Sequence, residues 1–355
     1  MSPQCIVIGA SAGGLEPLRE VVSRLPTGFP VPVFVVMHVA AYQPSYLPEI
    51  LSWTGPLPAL HPEDKRRAEP GFIYVAPPDH HLLIDDGSMA VKRGPKENGF
   101  RPSIDALFRS AAYSYGPGAI GVVLSGALND GASGLWSIKR LGGIAIVQEP
   151  KQAAYPSMPR SALEYTEADY KVPSTEIASL LIQLTQEQPD PVEIIGNGVD
   201  EDARRMAIET QVAAGINLPE KTILALGEMS QFTCPECRGA LVRIKEGRLL
   251  RFRCHKGHGF SADALLEGLM ETISGLIWQT TRGLHEGSML IEHMGQHLKE
   301  NGEAVTAEKF LAKARELNQQ ASGFQKIAVG QERMSEENLV RQQSEAEWED
   351  SETGD

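Results

Sequence analysis

The segment IGASAGGL (8–15) carries a single serine, Ser11, in a turn with Gly9, Gly13 and Gly14 around it. An apolar run enters this turn, and Leu15, Leu18, Val21 and Val22 leave it on one side of an amphipathic segment. The stretch therefore reads as a strand, a tight turn and a helix start. Two chemistries suit such a turn. Its backbone amides can cradle a phosphate, or they can stabilise an oxyanion beside a nucleophilic Ser11. A dinucleotide site asks for G-x-G-x-x-G and an acid about 20 residues onward. The glycine spacing here differs and the next apolar run ends in MHV, which weakens the nucleotide reading.

A serine becomes a nucleophile when a histidine takes its proton and an acid orients that histidine. His38 ends the apolar run VPVFVVMHV (31–39), and Asp130 follows GVVLSGALN (121–129). All three residues can thus meet at one edge of a parallel sheet. Each also has an ordinary structural use: Ser11 as a helix cap, His38 as a satisfied histidine beside the core, Asp130 as the cap of a helix starting near Gly131.

A second constellation lies at Cys234-x2-Cys237 and Cys254-x3-His258. Two short ligand pairs joined by a hairpin-like connector place three sulfurs and one imidazole around a tetrahedral zinc, a closed structural site with no vacant position. His255 is the alternative fourth ligand, with poorer geometry because it adjoins Cys254; buried free thiols are the structural alternative. The chain has four cysteines, and three of them fall within this cluster, which favours metal binding in a reducing compartment over a disulfide framework.

These residues need elements to hold them. Apolar runs at 31–39, 119–126 and 143–148 read as buried strands, with a helix at 131–142 between the last two, and 71–91 as short strands that include a hairpin. In RPSIDALFRSAAYSYG (101–116), Pro102 suits a first helical turn, while Ile104, Leu107, Phe108 and Ala111 form an apolar face. This alternation predicts an α/β fold, a mostly parallel doubly wound sheet with helices on both faces and chemistry at the carboxyl ends of its strands. A small zinc-binding domain and a helical C-terminal region follow. The helical face Leu265, Leu266, Leu269, Ile273, Leu276 and Ile277 is expected to pack against a neighbour.

Composition sets bounds. The charge of -13, from 33 basic against 46 acidic residues, disfavours a broad nucleic-acid surface. RIKEGRLLRFRCHK (243–256) is locally basic, leaving a nucleic-acid module as a minor alternative. No apolar run of about 18 residues and no basic leader is present, so a cytoplasmic protein without membrane insertion is expected.

Taken in order, IVIGASAGGLEPL, VFVVMHV, GFIYVAPPDHHLLI, NGFRPSIDALFRSAA, GVVLSGALNDGASGLWSIKRLGG and QEPKQAAYPSMPRSAL resemble the catalytic domain of the chemotaxis protein-glutamate methylesterases, over roughly residues 5–185. The resemblance implies Ser11 as nucleophile, His38 as base and Asp130 as orienting acid. It implies methanol release from glutamyl methyl esters of chemoreceptors and, in some members, deamidation of receptor glutamines. Ala12, Gly13, Gly14 and Ala127 fall in the implied oxyanion or substrate turns, and Arg101 is a candidate for an acidic receptor surface or for an ordinary ion pair. The chain departs from the family pattern at Ala12, at SGAL (125–128) and at VAAYQPSY (39–46).

The expected organisation is a catalytic domain at 1–190, a linker at 191–230, a zinc-ribbon-like module at 231–262, a helical region at 263–333 and a disordered acidic tail at 334–355. A small cysteine-rich zinc segment of this kind resembles one found after some methylesterase-like domains. The zinc is expected to be structural, with no cofactor required for ester hydrolysis. The chain begins at the catalytic domain, so control is expected from another region or from a regulatory signalling protein rather than from a receiver domain in cis. A methylated chemoreceptor-like protein is the expected partner, with recruitment to receptor complexes. The alternative function is a signalling adaptor that binds partners through its zinc and helical regions, and a nucleotide-dependent oxidoreductase stands third.

Overall fold

The computed structural model describes residues 5–186 and 199–330. Its elements run β1 (Cys5–Ala10), α1 (Leu15–Ser23), β2 (Val33–Met37), α2 (Leu47–Thr54), β3 (Ala59–Leu60), β4 (Ile73–Val75), β5 (His81–Asp85), β6 (Ser88–Lys92), α3 (Ile104–Tyr115), β7 (Ala119–Val123), α4 (Ala132–Arg140), β8 (Ile144–Gln148), α5 (Ser157–Tyr165), β9 (Tyr170–Val172) and α6 (Ser174–Gln186). There follow α7 (Val199–Ala213), α8 (Glu220–Leu224), β10 (Glu228–Thr233), β11 (Ala240–Glu246), β12 (Leu249–Cys254), β13 (Gly259–Ser261), α9 (Ala262–Glu300) and α10 (Ala304–Gly330).

Seven strands form one sheet in the order β3-β4-β2-β1-β7-β8-β9, every pair parallel. Side chains of a strand alternate between its two faces, so β1 sends Cys5 and Val7 into one apolar layer and Ile6 and Ile8 into the other. The first layer meets Leu107 and Phe108 of α3 and Leu135 of α4, and the second meets Leu18 of α1 and Leu181 of α6. This is the doubly wound arrangement expected from the strand and helix alternation. The predicted hairpin is β5 with β6, turned at Asp86 and Gly87, both at positive φ as a type I′ turn requires. The α3 helix begins differently from expectation: Ser103 is its N-cap and Pro102 precedes the helix instead of entering its first turn, because the Ser103 hydroxyl accepts the Ala106 amide.

The described residues up to Leu265 make one compact unit, which contains the large sheet and the antiparallel sheet β10-β11-β12-β13. The second unit begins at Leu266. Within it, α9 pairs with α10, whose Ala307, Ala314, Ala321 and Ala328 are buried at seven-residue spacing. The Ser288 hydroxyl donates to the Ala314 carbonyl, 2.8 Å away. Ile273 and Leu276 of the expected packing face are exposed there, and Leu265, the last residue of the first unit, is the member of that face that is buried. Of the linker expected at 191–230, residues 191–198 lie outside the described residues, as does the acidic tail, and the rest forms α7, α8 and the start of β10, with Met206 and Glu209 of α7 buried. No helix among the described residues is long and apolar enough to cross a membrane.

Candidate active site and metal centre

Ser11 lies one residue past β1, His38 one residue past β2, and Asp130 in the loop between β7 and α4. Because β1 sits between β2 and β7, these strand ends are adjacent. The Ser11 amide donates to the Ser125 carbonyl and the His38 amide to the Ala10 carbonyl, which ties the three loops together. His38 Nδ1 is 3.0 Å from Ser11 Oγ, and His38 Nε2 is 2.8 Å from Asp130 Oδ2. With Asp130 ionised, Nε2 carries the proton and Nδ1 is left as an acceptor for the serine hydroxyl. The imidazole also stacks on Phe100, ring centroids 3.7 Å apart and 6° from parallel.

Asp130 is fully buried and heavily bonded. Beyond His38, its oxygens accept from the Ile104 amide at 2.7 Å, Asn98 Nδ2 at 3.0 Å, the Ser103 hydroxyl at 3.0 Å and the Asp105 amide at 3.2 Å. Burial alone would raise its pKa, but the hydrogen bond and charge of His38, the Ile104 amide and Asn98 outweigh burial and lower it to about 2. Neighbouring Asp105 moves the other way, to about 8, through burial and the charge of Asp130.

The turn around Ser11 is tightly enclosed. Gly13 has φ +66, and a Cβ there would lie 2.7 Å from Ala154 Cβ. A Cβ on Gly126 would lie 2.6 Å from Met158 Sδ and 2.9 Å from Ser11 Cβ. Ser125 clamps the turn by donating its hydroxyl to the Ala12 carbonyl and accepting the Tyr155 amide. Ala12 and Ala127 are half-buried, and Gly14 is the N-cap of α1. Arg101, next to Phe100, donates to Asp79 Oδ1 at 2.6 and 2.8 Å and to the Gly94 carbonyl at 2.6 Å.

Cys234, Cys237, Cys254 and His258 bring their ligand atoms within 4.8 Å of one another. Cys237 Sγ is 3.6 Å from Cys254 Sγ, too long for a disulfide, and His258 Nδ1 is 3.4 Å from Cys254 Sγ and 3.6 Å from Cys234 Sγ. A tetrahedron with Zn–S near 2.3 Å and Zn–N near 2.0 Å has edges of about 3.5 to 3.8 Å, so the donor set fits zinc. The ligands sit on two tight turns, with Arg238 and Gly257 at positive φ. His255 packs against Gly239 instead, where a Cβ would come 2.2 Å from its ring.

Several residues of these sites are absent from the sequence reading. Asn98, Phe100 and Ser103 support the triad, and a buried ion cluster joins the sheet that carries the Cys/His cluster to α3, α7 and the loop at Glu97. Arg253 donates to Glu97 at 2.8 Å and to Glu209 at 2.7 Å, Arg251 donates to Glu246 at 2.7 Å, and Arg109 donates to Glu97 at 3.1 Å. Arg251 and Arg253 of the locally basic stretch are thus turned inward onto carboxylates. An Asn-Gly dipeptide at 98–99 does signal a turn, and Asn98 and Gly99 have the positive φ it requires. No local signal says where the Asn98 side chain goes.

Residues 6–181 match the family described as CheB methylesterase. A putative protein-glutamate methylesterase/protein-glutamine glutaminase of Leptospira interrogans is 42% identical over 187 residues, covering 52% of this chain and 97% of that protein. Protein-glutamate methylesterase/protein-glutamine glutaminase 3 of Anaeromyxobacter dehalogenans is 40% identical over 178 residues, and the match spans 50% of this chain and 52% of that one. The crystal structure of the Thermotoga maritima CheB methylesterase catalytic domain superposes with a TM-score of 0.50 at 34% identity, covering 52% of this chain and 100% of that domain. All of Ser11, His38, Asp130 and Asn98 fall inside the matched region; the Cys/His cluster lies beyond it.

Proposed function

This chain belongs to the CheB methylesterase family, and we propose that it is a serine hydrolase removing methyl groups from glutamyl esters of chemoreceptor-like proteins. The observation that carries the proposal is the continuous hydrogen-bonded path from Ser11 Oγ through both nitrogens of His38 to Asp130. Ser11 attacks the ester carbonyl while His38 Nδ1 takes the hydroxyl proton. Backbone donors of the turn at Ala12 and Gly13 and of the loop at Ala127 stabilise the oxyanion as it forms. His38 returns the proton to the departing methoxide, giving methanol and a glutamyl-serine ester. Water, deprotonated at Nδ1, then attacks that ester and the proton passes back to Ser11, leaving a glutamate carboxylate. Asp130 holds Nε2–H throughout and stabilises the imidazolium. A receptor glutamine can follow the same path with ammonia as leaving group, in keeping with the glutaminase named for the relatives.

Zinc at Cys234, Cys237, Cys254 and His258 acts structurally, since four protein ligands leave no position for substrate. Recruitment to a cytoplasmic receptor complex, with a regulatory signalling protein controlling access, completes the reading. The test is methanol release from a receptor fragment carrying glutamyl methyl esters, compared with the same fragment unmethylated. Methanol in proportion to esters lost supports the proposal. No release by zinc-loaded protein would reject it in favour of an adaptor.

A further inference from the structure

The metal-binding sheet and the triad share a strand edge. Strand β13, directly after His258, runs against the loop that carries Asn98: the Gly259 amide donates to the Lys96 carbonyl at 3.2 Å and the Asn98 amide to the Gly259 carbonyl at 2.8 Å. Asn98 Oδ1 accepts the Ser261 amide at 2.8 Å. Its Nδ2 donates to Asp130 Oδ1 at 3.0 Å and to Asp105 Oδ2 at 2.9 Å. Every polar atom of Asn98 except its carbonyl is therefore assigned, one side to the metal-binding sheet and the other to the orienting acid. A second thread runs parallel, with the Ser261 hydroxyl donating to Asn129 Oδ1 at 2.7 Å, next to Asp130 in the chain. Arg253 adjoins ligand Cys254 and anchors the same loop through Glu97 at 2.8 Å and the turn through the Gly257 carbonyl at 2.7 Å.

We propose that Asn98 is a positioning residue for Asp130, held by the metal-binding sheet, so that filling of the Cys/His site sets how well the triad is aligned. The inference rests on the triad reading above. The metal takes no part in the ester chemistry; its four ligands fix the two turns, the second turn fixes β13, and β13 fixes the Asn98 side chain. Without the Nδ2–H donor, Asp130 loses one of the bonds that orient its Oδ2 toward His38, and a misplacement of a fraction of an ångström is enough to slow a triad.

Asn98→Gly tests this cleanly, because glycine accepts the left-handed backbone of residue 98, at φ 52, while removing the side chain. Asn98→Asp keeps the acceptor for Ser261 but turns the donor into a carboxyl group facing the Asp130 carboxylate and the Asp105 carboxyl. Two readouts apply to the full chain: turnover of a small methyl ester, and the low-field proton resonance of the His38 Nε2–H bonded to Asp130. In zinc-loaded protein, Asn98→Gly is expected to lower kcat by about 10-fold or more with KM within about twofold, and to shift or broaden the resonance; Asn98→Asp should lose more. Stripping zinc from the wild type should act in the same direction on both readouts, yet change Asn98→Gly by less than about twofold further, as expected for two changes on one path.

Wild-type-like kcat and resonance in zinc-loaded Asn98→Gly would overturn the proposal, as would effects of stripping and substitution that multiply independently. Should stripping unfold the chain, the two zinc-loaded variants decide alone. Absence of turnover in zinc-loaded wild type would defeat the esterase reading, while the resonance would still decide whether Asn98 positions Asp130.

Discussion

Asp130 Oδ2 lies 2.8 Å from His38 Nε2, and this contact fixes which imidazole nitrogen faces the serine. The acid is buried and fully bonded, so it cannot turn to follow a misplaced ring. Asp130→Asn presents either an amide oxygen or an amide N–H to Nε2 and removes the charge that favours the imidazolium. A loss of about 10³- to 10⁴-fold in kcat is expected, with little change in KM, measured by steady-state hydrolysis of a small methyl ester.

The space around Ser11 gives a second expectation. Gly13→Ala meets both a left-handed backbone at φ +66 and a Cβ contact of 2.7 Å with Ala154. Destabilisation of about 1–3 kcal/mol and loss of turnover should follow, read from urea unfolding and ester hydrolysis. A stable, fully active variant would show that the turn is looser than this geometry.

How much of this was legible beforehand follows from what each feature depends on. Strand-end placement of Ser11, His38 and Asp130 could be read because apolar runs and turn residues mark where strands stop, and parallel sheets bring those ends together. The Cys/His cluster could be read from local spacing alone. Asn98 and the Glu97–Arg253 pair could not, because their partners lie 32 and 156 residues away and polar side chains carry no periodic signal of where they point. Arg251 and Arg253 show the same limit: a basic run in sequence became a buried ion cluster once Glu209 and Glu97 were opposite it. Pro102 misled at the start of α3, since Ser103 supplies the cap one residue later.

Stability should depend on pH in two opposite ways. Asp130 and Glu97 have pKa values lowered to about 2, the latter by Arg109, Arg253 and Arg251 against its burial, and Glu209 is held well below the ordinary range by the same arginines. The unfolded chain takes up these protons first, near pH 4, so their contribution is present above about pH 4 and lost as pH falls toward 2. Asp105, raised to about 8, contributes below about pH 4 and loses that contribution as pH rises through 8. Urea midpoints across this range should fall on the acid side in the wild type, and Asp105→Asn should remove the decline on the neutral side.

The metal site has its own expectation. Protein purified under reducing, chelator-free conditions should carry one zinc per chain by elemental analysis. Cys237→Ser should give up zinc to a chelator concentration that leaves the wild type loaded, because three ligands remain where four closed the tetrahedron. Metal-free wild-type protein with unchanged melting would count against a structural role.

The central claim is that Ser11 and His38 act as one catalytic unit, and a double-substitution cycle measures it most directly. Turnover of one methyl ester would be compared in wild type, Ser11→Ala, His38→Ala and the double variant. Each single change should cost several orders of magnitude in kcat, and the double variant should be no slower than the worse single one, since removing either member already disables the unit. Wild-type-like turnover in Ser11→Ala, or losses that multiply in the double variant, would contradict it.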